Sequence, residues 1–434
     1  MDHTLQAHNF ASERPMQETK FFSELLGITR PWFISKMVLN KAQQRVDIYV
    51  EHSRGFAFPC PKCQRLCPVY DHTRQREFRH LNVFQMTTFI HVKLPRVQCP
   101  EHGVLQIVSG LGEDNSNMTY AFESLVLDLE QECSIESVCR LLDLNWHTCW
   151  KVMEQAVERG QARKPHEIPK RIGVDEKSFS RGHRYETLVY DIDAGTVEFV
   201  ADKREQKSLE AYYEQFTPHQ RESVEAVAMD MWDPFISATK AYIPGAQDKI
   251  VFDRYHVTRL VVDAVDRVRK QEHRALMEQG IGILKGTKYL WLWNEENIPE
   301  YRREEFERLR SLDLKVCRAR AIKDNLRHLW TCRSKGWMRR YFSRWYFWAT
   351  HSRLHPIVKA AKSLKSHLDN ILTYARHRIT NALGESLNSK IEKVKRLACG
   401  FRNRDHYRTA IYFHCGGLDL YPRSTSAAFQ IMGS

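Results

Sequence analysis

The feature that most constrains this chain is a short apolar run that ends in a carboxylate, Ile172-Gly173-Val174-Asp175. Clustered β-formers predict a buried strand, and an aspartate closing such a strand is costly unless a ligand compensates its charge. A second run, Val224 to Met229, ends in the same way at Asp230, and a downstream helical segment, Asn381 to Lys395, carries Glu385. This pattern predicts a site for two divalent metal ions, because hard cations take oxygen ligands held on rigid elements.

Asp230 has a competitor in Asp233, which could simply cap a helix that begins at Pro234. We favour Asp230 as the ligand because it follows the strand directly. Asp175 could also be a turn residue, but the charge of an aspartate at the end of a buried strand favours a functional role.

Glu385 has a competitor in Glu392, which lies two turns along the same predicted helix and therefore on the same face. We favour Glu385 and expect Glu392 to be a surface ion-pair partner of Lys395 or Arg396, which follow it at helical spacing.

Four metal-ligating residues nearer the N-terminus occur as two knuckles, Cys60-x2-Cys63 and Cys99-x2-His102. Each knuckle turn lets two ligands converge on one tetrahedral ion, so the spacing predicts a zinc ribbon with structural Zn²⁺. A pair of reduced, unliganded cysteine turns is the alternative, and Cys67 could replace His102 as the fourth ligand.

The charge of the chain favours a polyanionic partner. Lysine and arginine exceed aspartate and glutamate by 13, which suits a nucleic-acid partner. The hydrophobic content of 42% is that of a folded protein. No signal pattern and no apolar run of about 20 residues is present, so we expect a soluble, cytoplasmic protein without a membrane partner. The 11 cysteines do not resemble a disulfide framework, since several occur singly on helix-like segments.

Residues 118 to 160 have helical periodicity, with Ser134 as a predicted N-cap and a break at Leu144-Asn145. Two short helices joined by a tight turn predict a helix-turn-helix, although an ordinary helical hairpin is the alternative. The DNA-contacting residues expected on its second helix are Trp146, His147, Thr148 and Lys151. Gly160 to Lys170 is the predicted linker to the next domain.

The pattern then changes to strands. Three antiparallel strands are predicted, followed by two more that alternate with helices; they span residues 171–175, 184–191, 197–201, 224–230 and 249–252. This order is that of a ribonuclease H-like fold. Residues 258 to 374 are helical in character and too long for a loop, so we expect an all-α insertion. Its aromatic clusters, Lys288 to Trp293 and Arg344 to Trp348, are either core or base-stacking surfaces, and core is favoured.

These residues together resemble bacterial insertion-sequence transposases of the ISL-three family, which belong to the DDE group. The resemblance runs from the zinc knuckles to about residue 415. The motifs that carry it are Ile172-Gly173-Val174-Asp175-Glu176, Ala228-Met229-Asp230-Met231, Phe252-Asp253-Arg254-Tyr255-His256, Glu385-Ser386-Leu387-Asn388-Ser389-Lys390-Ile391 and Lys395-Arg396-Leu397-Ala398-Cys399-Gly400-Phe401-Arg402-Asn403.

The resemblance implies a multi-domain α/β protein with a ribonuclease H-like core interrupted by the helical insertion. It implies Asp175, Asp230 and Glu385 as ligands of two Mg²⁺ (or Mn²⁺) ions, with His256 of the Asp253-x2-His256 element near the active site. It further implies transposition: binding of terminal inverted repeats and target in double-stranded DNA, then strand cleavage and transfer, by a dimer or higher oligomer in a bacterial, nucleoid-associated setting.

The domain boundaries that follow are a β-rich zinc-ribbon domain (1–110), a helix-turn-helix with linker (111–170), the first part of the core (171–257), the insertion (258–375), the last part of the core (376–415) and a tail with little periodicity (416–434). Four cations after the predicted Glu385 helix are expected to hold the DNA backbone beside the scissile phosphate, rather than form a solvated basic surface. They are Lys395, Arg396, Arg402 and Arg404.

Two other functions fit parts of this pattern. A DNA-binding regulator with a vestigial core would bind without cleaving, but it would need none of the three carboxylates. A structure-selective nuclease or resolvase on the same fold would cut junctions whatever the terminal sequence, but it would need no N-terminal DNA-reading modules.

Overall fold

The computed structural model describes residues 18–113, 115–180, 184–379 and 382–423. They divide into two compact units, one containing the described residues up to Arg163 and from Leu418 onward, the other running from Lys164 to Gly417. No helix among them is long and apolar enough to cross a bilayer. The predicted linker begins later than expected, because the last helix before it continues to Arg163.

The first unit opens with one helix and nine strands, which form sheets of four, three and two strands. The elements are α1 (Glu18–Leu25), β1 (Trp32–Asn40), β2 (Arg45–His52), β3 (Phe58–Pro59), β4 (Leu66–Cys67), β5 (Val69–His72), β6 (Arg76–Val83), β7 (Met86–Val92), β8 (Pro95–Cys99) and β9 (Gly103–Gln106). Strands β1 and β2 form an antiparallel hairpin, and β7 and β6 extend it to a sheet of order β1-β2-β7-β6.

Three helices complete the first unit: α2 (Tyr120–Glu132), α3 (Ile135–Leu142) and α4 (Trp146–Arg163). The side chain of Ser134 accepts a hydrogen bond from the Ser137 N–H, as its predicted N-cap role requires. Asp143, in the left-handed region at φ 53°, ends α3, and the Asn145 side chain accepts from the Thr148 N–H at 2.9 Å to begin α4. The turn chemistry therefore produces the predicted break between the two helices.

The end of the described chain, part of the tail with little periodicity, belongs to the first unit from Leu418 onward. Arg159 on α4 donates a 2.8 Å hydrogen bond to the Leu420 carbonyl, and Leu420 itself is buried. Tyr421 donates to Asp128 of α2. Side chains of α2 and α4 hold this segment in place. Its order could not be predicted from the periodicity of its own sequence, because it depends on these partners.

The second unit contains five strands, fourteen α-helices and three short 3-10 helices among its described residues. The strands and α-helices are β10 (Arg171–Ser180), β11 (Arg184–Asp191), β12 (Thr196–Asp202), α5 (Gln206–Tyr213), α6 (Pro218–Glu222), β13 (Ala226–Met229), α7 (Asp233–Tyr242), α8 (Ala246–Lys249), β14 (Ile250–Phe252), α9 (Arg254–Glu278), α10 (Lys288–Leu292), α11 (Arg303–Arg310), α12 (Lys315–Leu326), α13 (Lys335–Thr350), α14 (His355–Ser366), α15 (Leu368–Leu372), α16 (Tyr374–His377), α17 (Ala382–Leu397) and α18 (Arg404–Cys415). Asn381, the expected start of the Glu385 helix, lies outside the described residues.

The five strands form one sheet of order β12-β11-β10-β13-β14. The pairs β12–β11 and β11–β10 are antiparallel, whereas β10–β13 and β13–β14 are parallel. The prediction of an antiparallel meander followed by two further strands is thus confirmed. One detail was wrong: Asp175 lies within β10 and not at its end, because antiparallel pairing with β11 continues past it.

Each face of this sheet carries its own apolar core. Ile172 and Val174 point into the larger core, which continues through the helices from α9 to α16. The opposite face packs Leu188 and Tyr190 against Leu387 and Ile391 of α17. The helix that carries Glu385 is therefore seated on one defined face of the sheet.

Candidate active site and metal centre

The parallel strands of the second unit bring three residues side by side. Gly173 on β10 lies opposite Ala228 on β13, and Ala228 lies opposite Val251 on β14. Paired residues point to the same face of a sheet, and the faces alternate with a period of two. The residues two positions further along each chain therefore lie on that same face, where the parallel pairing of the three strands ends, although β10 itself continues to Ser180.

All three of those residues are aspartates: Asp175, Asp230 and Asp253. We call them the strand-end aspartates, because they lie where the parallel pairing of β10, β13 and β14 ends. Burial raises the pKa of Asp230 and of Asp253, and the negative charge of Asp175 adds to the rise in both. The strand register places the three carboxylates side by side, and this electrostatic coupling agrees with it. Strand-end reasoning found the first two; Asp253 was expected only as part of the element that contains His256.

Asp230 has one carboxylate oxygen engaged and one free. Its Oδ2 accepts a 2.5 Å hydrogen bond from Arg204, while its Oδ1 is buried and has no hydrogen-bond partner among the described residues. A buried acceptor without a donor costs free energy. A cation bound at Oδ1 would satisfy it, so the carboxylate fits the role of a metal ligand.

Arg204 holds this side of the site together, and sequence reasoning did not find it. Its guanidinium pairs with Glu176 as well as with Asp230, and it lies over the ring of Trp232 at 4.2 Å. Burial raises the pKa of Glu176 to about 7, although the charge of Arg204 opposes the rise. Arg204 comes from the turn after β12, so nothing local in the sequence marks it.

Asp253 and His256 share the start of α9. The Asp253 side chain accepts from the Tyr255 N–H at 2.7 Å and caps the helix. Burial raises the pKa of Asp253 and Asp230, whereas the positive charge that His256 can carry lowers it in both. The predicted neighbour of the active site, His256, therefore lies close to two of the three strand-end carboxylates.

Asp175 is held from two directions. Its Oδ1 accepts from the Glu176 N–H at 2.8 Å, and its Oδ2 accepts from the Asn388 amide at 2.8 Å. Asn388 lies on α17, three residues after Glu385. The hydrogen bond fixes the helix against the strand, and Asn388 is a second residue that sequence reasoning missed.

Glu385 lies in the first turn of α17, and its side chain is exposed. Helix α17 packs on the sheet face that holds Tyr190, and the charge of Glu385 adds to the rise in the pKa of Tyr190, after burial and the charges of Asp175 and Asp253. Glu392, its competitor, pairs with Lys177 at 3.2 Å. The expectation of an ion pair for Glu392 is confirmed, but its partner on β10 differs from the one predicted.

Tyr190 lies beneath this cluster. Its ring occupies the space that a side chain at Gly173 would fill, since a Cβ built there would approach the ring to 2.0 Å. The hydroxyl is buried without a hydrogen-bond partner among the described residues. Burial, and then the surrounding carboxylates, raises the pKa of the phenol well above its usual value, so it remains a neutral donor.

The four cations expected beside the scissile phosphate fall into two pairs. Arg396 and Arg402 are exposed. Lys395 donates to the Ser178 carbonyl at 3.1 Å, and Arg404 pairs with Asp202 at 2.7 Å and with the buried Glu186 at 3.6 Å. Lys395 and Arg404 therefore bond to other elements of the protein, whereas Arg396 makes only a long 3.4 Å hydrogen bond within its own helix, to the Glu392 carbonyl. Arg396 and Arg402 are thus the better placed pair to contact a phosphate.

The predicted zinc ligands converge. The ligand atoms of four residues all lie within 4.8 Å of one another, and these residues are Cys60, Cys63, Cys99 and His102. Cys67 is not among them; its thiol is buried and donates to the Arg65 carbonyl. Burial would raise the pKa of Cys99, but hydrogen bonds from the Glu101 and His102 backbone outweigh it and lower that pKa to about 7. Three thiols and one imidazole at these distances suit tetrahedral Zn²⁺.

The carboxylates of the second unit do not converge as closely. Among the described residues, the only other group with ligand atoms all within 4.8 Å is Asp47, Glu77 and His91 in the first unit. Arg45 pairs with both acidic residues of that group and already balances their charge. Asp175, Asp230, Asp253 and Glu385 share one face of the sheet without meeting at a point.

The residues expected to contact DNA lie around the α3–α4 turn. His147, Thr148 and Lys151 line a cleft of about 1170 Å³ that also includes Arg45 and Arg76 on the neighbouring sheet. Trp146 is partly exposed and stacks on Trp150 at 5.5 Å. The Thr148 hydroxyl donates to Asn145 at 3.0 Å, so this residue also supports the helix start.

Known proteins similar to this chain were found along most of its length. A family profile described as "Transposase", of the DDE group ISL3, matches residues 172–411. A second profile, described as "zinc-finger of transposase IS204/IS1001/IS1096/IS1165", matches residues 57–102. The chain is 27% identical to the "Transposase for insertion sequence element IS1001" of Bordetella parapertussis over 354 residues, covering 80% of this chain and 86% of that protein. It is 26% identical to the "Transposase for insertion sequence element IS1557" of Mycobacterium tuberculosis over 423 residues, covering 89% and 93%.

Proposed function

The chain belongs to the ISL3 family of insertion-sequence transposases, and we propose that it binds the terminal inverted repeats of its element and catalyses DNA strand cleavage and strand transfer. The observation that carries this proposal is the set of strand-end aspartates on one face of the sheet, with the helix of Glu385 tied to them through Asn388. Double-stranded DNA is the substrate, and we expect a dimer or higher oligomer on it.

The proposed core is ribonuclease H-like. Its support is the strand order, in which an antiparallel meander continues into two parallel strands separated by helices. The helices from α9 to α16 then form an insertion between β14 and the Glu385 helix α17. A long insertion at this position separates the carboxylates in sequence and leaves them on one sheet face in space.

Asp175, Asp230 and Glu385 are the proposed ligands of two Mg²⁺ or Mn²⁺ ions, with Asp253 as a further oxygen donor on the same face. Two such ions, when bound, would activate the attacking water or 3′-hydroxyl and stabilise the leaving oxygen of an in-line displacement. The unpartnered Oδ1 of Asp230 fits this role. Because these carboxylates do not converge in this structure, we expect their side chains to close together on metal binding.

The surrounding residues orient the ligands. Arg204 holds Oδ2 of Asp230, which leaves Oδ1 turned away from the ion pair. Asn388 and the Glu176 N–H hold the two oxygens of Asp175. Hydrogen bonds of this type fix the direction of a metal ligand. His256, close to Asp230 and Asp253, is placed to exchange a proton with a reacting group near them.

The first unit is proposed to supply recognition. Its zinc ribbon holds a structural Zn²⁺ at Cys60, Cys63, Cys99 and His102, which contributes folding free energy to a small domain. Helices α3 and α4 form a helix-turn-helix, in which His147 and Lys151 face the cleft and contact DNA. Arg396 and Arg402 of the second unit contact the DNA backbone.

Incubation with DNA that carries the element's own ends tests this function. Wild-type protein is expected to cleave at the element ends with Mg²⁺ and to bind without cleaving when Mg²⁺ is omitted. Asp175→Asn is expected to bind the same ends with nearly unchanged affinity and to lose cleavage in Mg²⁺. Binding by wild-type protein without cleavage in any divalent metal would instead indicate a DNA-binding regulator.

A further inference from the structure

A long stretch of the helical insertion contains no acidic residue. Between Asn325 and Leu368 the chain has ten lysines and arginines and neither aspartate nor glutamate. Over the whole chain, lysine and arginine number 66 and aspartate and glutamate 53, so this segment departs strongly from the average. A run of one sign in a folded segment concentrates positive potential on one part of the surface.

This segment contains α13 and α14, two consecutive helices that pack against each other. One face of α13 is core: Met338, Phe342 and Trp345 are buried, and the Trp345 indole donates to the Ile322 carbonyl at 2.8 Å. The aromatic cluster predicted to be core is therefore only partly so. Trp345 is buried, whereas Phe347 and Trp348 are exposed.

The other face of α13 combines aromatic and basic side chains. Trp337 is 64% exposed, Phe347 63% and Trp348 39%, and Arg340 and Arg344 are exposed between them. Their spacing of three, four, three and one residues keeps all five on one side of a helix. We call these five residues the α13 stripe. Large aromatic side chains rarely cluster on a free surface unless the surface binds a partner.

Two aromatic side chains of the stripe take part in stacking contacts of the kind that proteins make with nucleic-acid bases. The Arg340 guanidinium lies over the Trp337 ring at 5.4 Å, and the Phe347 ring stacks on His351 at 4.0 Å. Flat rings and guanidinium groups offer stacking surfaces to any base, and the arginines attract the phosphates. An exposed base and its backbone would contact both kinds of side chain at once.

We propose that the α13 stripe binds DNA at unpaired bases, with the aromatic side chains stacking on bases and the arginines contacting phosphates. A second copy of the chain is a poorer occupant, because two such stripes would bring like charges together with no acidic side chain in the segment to offset them. Duplex DNA alone would use the arginines but would leave the rings without stacking partners. Unpaired bases occur at strand ends exposed by cleavage, so the inference rests on the proposed function for its biological substrate.

Binding of full-length protein to two labelled DNAs tests the proposal, measured by fluorescence anisotropy without divalent metal so that cleavage plays no part. One probe is a blunt duplex and the other is the same duplex with a single-stranded poly(dT) overhang. Trp337→Ala is expected to weaken binding to the overhang probe by about 5- to 150-fold, the range for loss of one stacked base, and to change binding to the blunt probe far less. Arg344→Gln is expected to weaken both and to lower the log-log salt slope by about one.

Tyr301→Ala and Arg303→Gln are the matched controls. Tyr301 is 85% exposed in the same insertion, but it follows Glu300, to which Arg303 is paired at 2.9 Å. Neither control should change binding to either probe. Equal effects of Trp337→Ala and Tyr301→Ala, or an equal loss on both probes for Trp337→Ala, would overturn the proposal.

Further outcomes separate this inference from the proposed function. A change in sedimentation of Trp337→Ala without a change in DNA binding would make the stripe a contact between copies and would also overturn it. Wild-type protein that cleaves element ends but binds both probes equally would refute the stripe alone. Wild-type protein that binds neither probe would overturn this inference, whereas the proposed function would fail only if the protein also did not bind and cleave DNA carrying the element's own ends.

Discussion

Asn388 on α17 donates a 2.8 Å hydrogen bond to the carboxylate of Asp175 on β10, and so joins two elements that are more than 200 residues apart in the sequence. Lys177 strengthens the same junction, because it donates to the Asn388 carbonyl at 3.2 Å and pairs with Glu392. The position of Glu385 relative to the strand-end aspartates depends on this junction, since Glu385 lies one turn before Asn388.

Asn388→Ala is expected to lower the cleavage rate by about 10- to 100-fold, the usual cost of losing a residue that orients a metal ligand. DNA-end affinity and the thermal midpoint should change little. Ser389→Ala is the control, because Ser389 is exposed on the same helix and bonds only within it. Equal cleavage by the two variants would show that Asn388 does not orient Asp175.

Gly173→Ala is expected to destabilise the second unit by about 1–3 kcal/mol, the usual cost of an added methyl in a packed core. The new Cβ would meet the Tyr190 ring at 2.0 Å. Urea unfolding measures the loss. Gly336→Ala is the control, since nothing lies within 4 Å of a Cβ there and alanine is the better helix former. A stability equal to wild type would contradict the packing of Tyr190 on Gly173.

Cys60→Ser and His102→Ala are each expected to lose bound zinc and to weaken specific end binding before the second unit unfolds, because zinc supplies folding free energy to the first unit. Cys67→Ser should retain zinc, since Cys67 lies outside the convergent group. Metal analysis of protein purified without chelator measures the content. Zinc loss in Cys67→Ser together with retention in His102→Ala would assign the fourth ligand to Cys67.

Glu130 on α2 gives the first unit a pH-dependent stability. The residue is 1% exposed, neither carboxylate oxygen has a hydrogen-bond partner among the described residues, and burial raises its pKa from 4.5 to about 8. Between those values the folded state keeps a proton that the unfolded state has released. Stability therefore falls as the pH rises across this window, by at most about 1.4 kcal/mol per pH unit.

Glu130→Gln should remove that dependence, so that the variant is more stable than wild type near pH 8 and similar to it near pH 5. Thermal unfolding across this range measures the difference. Glu132→Gln, at an exposed position of the same helix, should follow the wild-type curve. Identical pH slopes for wild type and Glu130→Gln would show that Glu130 does not ionise within this window.

Local patterns predicted the zinc knuckles, the sheet and the positions of Asp175 and Asp230, because ligand spacing and strand alternation are short-range signals. From the same signals, the end of β10 was predicted too early. The apolar residues stop at Val174, but backbone pairing with β11 continues to Ser180. Pairing of this kind depends on a partner strand, which apolar periodicity does not reveal.

Arg204, Tyr190 and Asn388 could not be found in the same way. Each acts on the site through a contact that exists only after the sheet and α17 have packed together, and each is an ordinary residue in its own segment. Trp345 and Trp348 illustrate the same limit within one helix: the sequence predicts an aromatic cluster, but only packing decides that Trp345 is buried and Trp348 is partly exposed.

The metal-ion preference of Asp230→Cys tests most directly whether the strand-end aspartates hold the catalytic metals. This variant is expected to lose cleavage of element ends in Mg²⁺ and to recover part of it in Mn²⁺, because a thiolate suits the softer ion better than Mg²⁺. Asp233→Cys, at an exposed position in the first turn of α7, should cleave in Mg²⁺ like wild type. Cleavage by Asp230→Cys in Mg²⁺ at the wild-type rate would contradict the assignment of Asp230 as a metal ligand.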